Sequence, residues 1–177
     1  LVALDAASGR VLWRQRVDAP IGGGPAVQNG VVYVLGRNDI GWAVRAADGR
    51  VLWEQLVGPP DGRTELERMA DIDGTPVLDG TAVFATSYKR TTMAIDGPTG
   101  RPLWVSDRGG SGRVGLAPNL LAVSDPAGTV WGLDKRSGSA MWQQDGLARR
   151  DLSWAQCATM LRSTPADAPA LGALSLA

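Results

Sequence analysis

Four segments of this chain align on one another, and no other feature limits its possible folds as strongly. They run Leu1–Trp13, Gly41–Trp53, Thr92–Trp104 and Thr129–Trp142, the last with one extra leading residue. In each, a Gly stands four residues before the closing Trp: Gly9, Gly49, Gly100 and Gly138. An Asp stands four residues before that Gly in three copies (Asp5, Asp96 and Asp134), and Arg45 takes its place in the second. The closing tryptophans are 40, 51 and 38 residues apart. A period of that length belongs to a propeller blade or a solenoid unit.

The residues of one copy predict a β-hairpin. A short alternating strand ends at Asp, whose carboxylate can bond the backbone of its own turn. Ser, Thr or Asp continues the turn, and Gly supplies a position with φ > 0 at no steric cost. A second strand then runs into Leu or Met and the Trp. Further hairpins lie between the copies. Pro25–Leu35 centres on Asn29-Gly30 and Pro76–Ala85 on Asp79-Gly80, both strong turn signals, and Leu116–Ser124 is a degenerate third copy. Two hairpins per period make four strands, the count of a propeller blade. A helical solenoid needs stretches of about 10–12 residues with a 3.6 period, and none occurs before residue 143. The fold class expected is therefore all-β, a β-propeller of four-stranded antiparallel blades. A blade buries its faces only against adjacent blades. A large flat side chain repeated at one position, as Trp13, Trp53, Trp104 and Trp142 are, suits that joint better than it suits a single ligand site.

Composition narrows the chemistry. The 177 residues include 23 Gly and 7 Trp, one Cys and no His. Without His there is no Ser-His-Asp triad, no His base and no His metal ligand. One Cys makes neither an intrachain disulfide nor a thiolate cage. Lys plus Arg and Asp plus Glu number 18 each, so the chain has no net charge to attract nucleic acid or an anionic membrane surface. No run approaches 18 apolar residues. No catalytic residue, metal or cofactor is expected, and no small-molecule substrate. Gly110–Gly115 fits G-x-G-x-x-G as text, but Pro118 and a strand-like run follow where a phosphate-binding loop needs a helix. Asp71-Ile72-Asp73-Gly74 looks like the start of a Ca²⁺ loop, yet no bidentate Glu follows at the required spacing.

The motif Ala/Gly-x-Asp-x-x-Ser/Thr-Gly-x-x-x-Trp, present over residues 1–142, resembles the tryptophan-docking repeat of the PQQ-like propeller family. Gly62-Arg-Thr-Glu-Leu-Glu-Arg-Met-Ala-Asp-Ile-Asp-Gly-Thr-Pro76, with Phe84–Tyr88 and Trp142–Leu152 in order after it, is similar to the BamB branch, the lipoprotein subunits of the outer-membrane β-barrel assembly machinery. That resemblance implies a non-enzymatic, protein-binding scaffold. It implies a periplasmic location on the inner face of the outer membrane, through a lipid anchor. It also implies an eight-bladed ring, where blade counts run from about four to about eight. Residues 1–153 hold about half of such a ring, so the chain is expected to be a fragment lacking amino-terminal blades, a signal peptide and the lipidated Cys. Residues 154–177, rich in Ala, Pro, Ser and Leu and containing Trp154 and Cys157, break the pattern; a poorly ordered end and a reading-frame error both fit. The rival reading is a fragment of a PQQ-dependent quinoprotein dehydrogenase, which would carry a vicinal Cys pair and a metal held by carboxylates and amides. A third is a periplasmic propeller of unknown ligand.

The resemblance implies that Asp71 and Asp73 help bind the BamA-like periplasmic domains of the barrel-inserting subunit. Alternation along a strand would put both on one side, where carboxylates can pair with Arg or Lys. A turn-capping pair before Gly74 fits the same residues. Glu65, Glu67 and Arg68 would enlarge that surface or simply solvate the loop. The family's other contact element, Leu-x-Leu-Arg in the preceding blade, is absent: the chain reads Asp18-Ala-Pro-Ile-Gly-Gly-Gly-Pro25 there, with Ile21 the remaining apolar candidate. Lys89-Arg90 stands where the family has a turn Gly, so Arg90 would be strained if φ > 0 is required.

Overall fold

The computed structural model of the chain describes residues 1–58, 74–87, 91–110, 114–125 and 127–145. Every strand or helix it describes is a β-strand. Strands β1 (Val2–Leu4) and β2 (Val11–Arg14) form a two-stranded sheet. Three four-stranded antiparallel sheets follow, each in chain order: β3 (Ala26–Gln28) to β6 (Val51–Leu56), with β4 at Val31–Leu35 and β5 at Ile40–Arg45; β7 (Val77–Asp79), β8 (Ala82–Ser87), β9 (Thr91–Asp96) and β10 (Pro102–Ser106); and β11 (Gly115–Leu116), β12 (Leu120–Ser124), β13 (Val130–Asp134) and β14 (Ala140–Gln144). These are propeller blades, arranged as part of a ring.

Burial follows from this arrangement. The middle strands are covered on both faces by neighbouring blades, so they are runs of apolar residues such as Val31-Val-Tyr-Val-Leu35 and Ala82-Val-Phe-Ala85 rather than strict alternations. The outermost strands are covered less, and β6 alternates half-buried and exposed positions along its length. The core divides into three clusters, one per joint. Val34, Trp42 and Val44 meet Trp13 of the first sheet and Val17, which follows it in the chain. Tyr33, Leu35 and Val57 meet Val83, Met93 and Ile95. Phe84 and Ala94 meet Leu121, Val123 and Leu133.

Each outer hairpin carries the same β-bulge. Ala43 pairs with Trp53 and Val44 with Val51, so Leu52 has no partner; Leu12, Leu103 and Met141 are skipped in the same way. The extra residue is turned outward, and Leu12, Leu103 and Met141 are each more than half exposed. A bulge re-aims the side chain beside it. Here it swings the Trp back over the pleat, opposite a small residue: Ala3, Ala43, Ala94 or Gly132.

The inner hairpins differ in one respect from expectation. Asn29 and Gly30 form the two-residue turn of β3–β4, both with positive φ. In the next blade the turn is Gly80-Thr81, one residue later than the Asp79-Gly80 expected, and Asp79 is paired with Ala82 as the last residue of β7. The carboxylate of Asp79 is taken by Lys135 Nζ of the following blade at 2.5 Å. The Thr81 carbonyl accepts Gly97 N at 2.8 Å. Asp79 thus serves a joint and not its own turn.

Candidate partner interface

The repeated turn and its Trp link one blade to the next. In every copy the Gly N–H bonds the carbonyl four residues earlier, as Gly100 N does to Asp96 O at 2.7 Å. The φ values of Gly9, Gly49, Gly100 and Gly138 are 69°, 77°, 74° and 71°, the left-handed region that suits Gly. The indole of one blade lies on this turn of the following blade. Trp13 Nε1 donates to the Ala46 carbonyl (2.7 Å), Trp53 Nε1 to Gly97 O (2.7 Å) and Trp104 Nε1 to Lys135 O (3.1 Å). A Cβ on Gly49, Gly100 or Gly138 would stand 2.7, 2.6 or 2.4 Å from the ring of Trp13, Trp53 or Trp104. Trp142 rests on Gly132 within its own blade.

The carboxylates brace these turns. Asp5 accepts from Ser8 N and Ser8 Oγ, Asp134 from Ser137 N and Ser137 Oγ, and Asp96 from Thr99. The hydrogen bonds from Ser8 hold the Asp5 carboxyl below its ordinary value, and those from Ser137 do the same for Asp134. Where Arg45 replaces the Asp, the charges are exchanged: Arg45 pairs with Asp48 at 3.2 Å, and Asp48 accepts Arg50 N. The turn survives because its fixed parts are the backbone bonds and the Gly.

A different end of the blades gathers the loops. Here the β4–β5 turn, the ends of β6, β8 and β10, and the 18–25 loop come together. Asp39, 4% exposed and with φ of 61°, accepts Ser87 Oγ of the next blade at 2.8 Å, and its carbonyl takes Val57 N at 2.7 Å. Gly58 fits against this pair: a Cβ there would lie 2.9 Å from Ser87 Oγ and 3.1 Å from the Asp39 carboxyl carbon. The 18–25 loop is held by Ile21 bridging Gly36, by Arg37 N to Pro20 O (2.9 Å) and by Gly22 N to Leu35 O (3.3 Å). Ile21 packs into the first joint beside Val34, Trp42 and Val44. It is half-buried in that joint. The glycines beyond it meet the next blade. A Cβ on Gly23 would fall 2.6 Å from Gly74 O, and Gly24 N donates to Thr75 Oγ1 at 3.1 Å.

Asp71, Asp73, Glu65, Glu67 and Arg68 lie outside the described residues, as do Lys89, Arg90 and the 154–177 tail. What the structure places is the residue on either side of the acidic segment, Gly58 and Gly74. The Gly22-Gly23-Gly24 run was the sequence signal for this contact, since consecutive glycines mark a close approach of backbones. Nothing in the spacing pointed to Asp39 with Ser87, or to Lys135 with Asp79, because both pairs form across blades.

A cleft of about 710 Å³ runs from this end, at Val57, Gly58, Ser106 and Arg108, to the repeated turn of the last blade at Ser137 and Ala140. Arg108 stacks over Trp131 at 4.7 Å and pairs with Asp107 at 2.6 Å. The lining offers hydroxyls and one ion pair. No group of three His, Cys, Asp or Glu placed to hold a metal occurs among the described residues, and no described helix is long and apolar enough to cross a membrane.

Comparison with known proteins agrees with this geometry. The family model described as the outer membrane protein assembly factor BamB matches residues 1–61 and 41–144. The BamB of Xanthomonas campestris pv. campestris is 52% identical over 140 residues, 78% of this chain and 33% of its own length. That of Pseudomonas aeruginosa is 44% identical over 96 residues, 53% of this chain and 25% of its own. The chain therefore spans about a third or less of the length of these relatives. Among solved structures, BamB from Moraxella catarrhalis superposes with a TM-score of 0.71 at 25% identity, over 85% of this chain and 46% of that one. A quinohemoprotein alcohol dehydrogenase from Pseudomonas putida HK5 superposes at 0.69 with 16% identity, over 83% of this chain and 31% of that one; at that identity it shares the fold. With the BamB model matched across the repeats and blades described above, the chain belongs to the family of the outer membrane protein assembly factor BamB.

Proposed function

We propose that this chain acts as a non-enzymatic scaffold in outer-membrane protein assembly, presenting the loop end of its blades to a protein partner on the periplasmic side of the outer membrane. The 52% identity to the Xanthomonas campestris BamB across 78% of the chain carries this reading. The physical design agrees with it: the repeated elements are spent on joining blades, which leaves the loops free to vary on a rigid support. The partner proposed is the barrel-forming subunit, through BamA-like periplasmic domains. Asp71 and Asp73 are proposed as the charged contacts, with Glu65 and Arg68 flanking them. A lipid anchor in a longer form of the protein would hold the scaffold at the membrane.

A pull-down with purified periplasmic domains of the barrel subunit tests the reading directly. Capture of those domains is expected from the native chain and not from Asp71→Arg with Asp73→Arg. Full capture by the doubly reversed variant would show that these carboxylates are not the contact. Tight binding of PQQ by the chain would favour the dehydrogenase reading instead.

A further inference from the structure

The outer edge of the β7–β10 blade differs from those of the other sheets. Strand β10 pairs with β9 on one side only, so the backbone N–H and C=O groups of its other side meet no strand among the described residues. Such an edge is a template for another strand unless something blunts it, and charged side chains are a common means. The residue after the Trp supplies a charge or an amide in the other outermost strands: Arg14 in β2, Glu54 in β6 and Gln143 in β14. In β10 that place holds Val105, and the strand reads Pro-Leu-Trp-Val-Ser with no charge along its length. Val105 is 57% exposed and Leu103 56%. Pro102 lacks an N–H, but it blunts only the first position.

The surroundings of this edge leave room for one strand. The cleft runs past Val105 and Ser106, with Val57 and Gly58 of the preceding blade on one side and Ser137 and Ala140 of the following blade on the other. Its volume of about 710 Å³ falls within the ~300–1,000 Å³ typical of ligand sites. The edge is held in place from two directions. Val105 pairs with Met93 and Ser106 with Thr92 inside the sheet, and the Trp104 indole is bonded to Lys135 O of the following blade. We infer that β10 binds an extended peptide segment with apolar residues at alternate positions, which joins the edge as a further strand. The unpaired ladder groups of β10 supply affinity, and Leu103, Val105 and Val57 meet the alternate apolar side chains. A single extended strand is narrow enough to enter between the flanks, whereas the β10 of a second copy arrives with flanks of its own. Binding at β10 is independent of the proposed acidic contact.

Fluorescence anisotropy with the native chain and a labelled peptide, Lys-Thr-Val-Thr-Leu-Thr-Val-Thr-Lys, tests the edge. Saturable binding is expected. Val105→Arg gives β10 the residue that β2 carries and is expected to weaken binding by about tenfold or more, while Leu52→Arg on β6 changes it by less than about twofold. Both positions are exposed, and far-UV circular dichroism confirms that the variants are folded. Two peptides, each N-methylated on one alternate set of residues, separate strand pairing from apolar adhesion. One set of N–H groups points at β10 and the other away from it, so one methylated peptide is expected to bind about tenfold or more weakly than the other. Equal binding of the two methylated peptides, or an unchanged affinity in Val105→Arg, would overturn the inference. So would the absence of binding up to about 1 mM peptide. Sedimentation velocity covers the other occupant: a dimer that ignores the peptide and that Val105→Arg dissociates would assign the edge to a second copy and likewise overturn the inference.

Discussion

Gly100→Ala tests the central claim about the blade joints, because the structure supplies a matched control. Gly100 has φ of 74° and Gly30 has φ of 76°. An Ala at either site meets the same left-handed penalty of about 1–2 kcal/mol. Their surroundings differ. A Cβ on Gly30 meets nothing within 4 Å, whereas one on Gly100 falls 2.6 Å from Trp53 Cγ and 2.7 Å from Trp53 Cδ2. Trp53 cannot easily retreat, since its Nε1 is bonded to Gly97 O and its ring lies 5.9 Å from that of Tyr33. Forcing a methyl group into such a contact costs about 1–3 kcal/mol beyond the backbone term. Urea unfolding followed by far-UV circular dichroism should thus place Gly30→Ala about 1–2 kcal/mol below the native chain and Gly100→Ala lower by a further ~1–3 kcal/mol. With a urea dependence of about 1–3 kcal/mol per molar, that gap is a midpoint difference of roughly 1 M. Replacing Trp53 by Leu should shrink the gap to less than about 0.5 kcal/mol, since only the shared backbone term remains. Equal losses at Gly30 and Gly100, or a gap that persists without the indole, would refute the view that the repeated Gly exists to receive the Trp.

Two further perturbations address single interactions. Lys135→Met should lower stability by no more than about 1 kcal/mol, because Asp79 is 40% exposed and water screens the pair; the effect should fade in thermal melts at high salt. For Asp134, the hydrogen bonds from Ser137 put the folded-state pKa below the unfolded one. Their stabilising contribution is therefore present above the ordinary carboxylate value of 3.8 and is lost as pH falls through the lower folded value. Ser137→Ala should raise the Asp134 pKa toward the ordinary value in a carboxyl-detected NMR titration, and no upward movement would show that Ser137 is not the cause.

The blade was legible in the sequence because its signals are local. The hairpins at Asn29-Gly30 and at the four copies that end in Trp follow from turn chemistry and period-two alternation, which act over a few residues. The small residue opposite each Trp was visible only as part of a text motif. Its reason, a bulge that extrudes Leu52 or Met141 and lays the indole across Ala43 or Gly132, needs the strand register. The shift of one turn from Asp79-Gly80 to Gly80-Thr81 has the same origin. A distant Lys135 claims the carboxylate that local turn chemistry would have used.

The candidate interface divides in the same way. The sequence by itself determined the all-β repeat, the absence of His-based chemistry and the resemblance that singled out Asp71 and Asp73. It also marked 18–25 as a loop without the family's apolar and basic contacts. Only the tertiary structure decided what that loop does. It turns Ile21 into a joint, and it sets Gly23 and Gly24 against Gly74 and Thr75, about fifty residues away in the chain. The physical reason is that propensity and turn chemistry act along the chain, whereas a contact between two backbones, or between Asp39 and Ser87, exists only once blades have packed side by side.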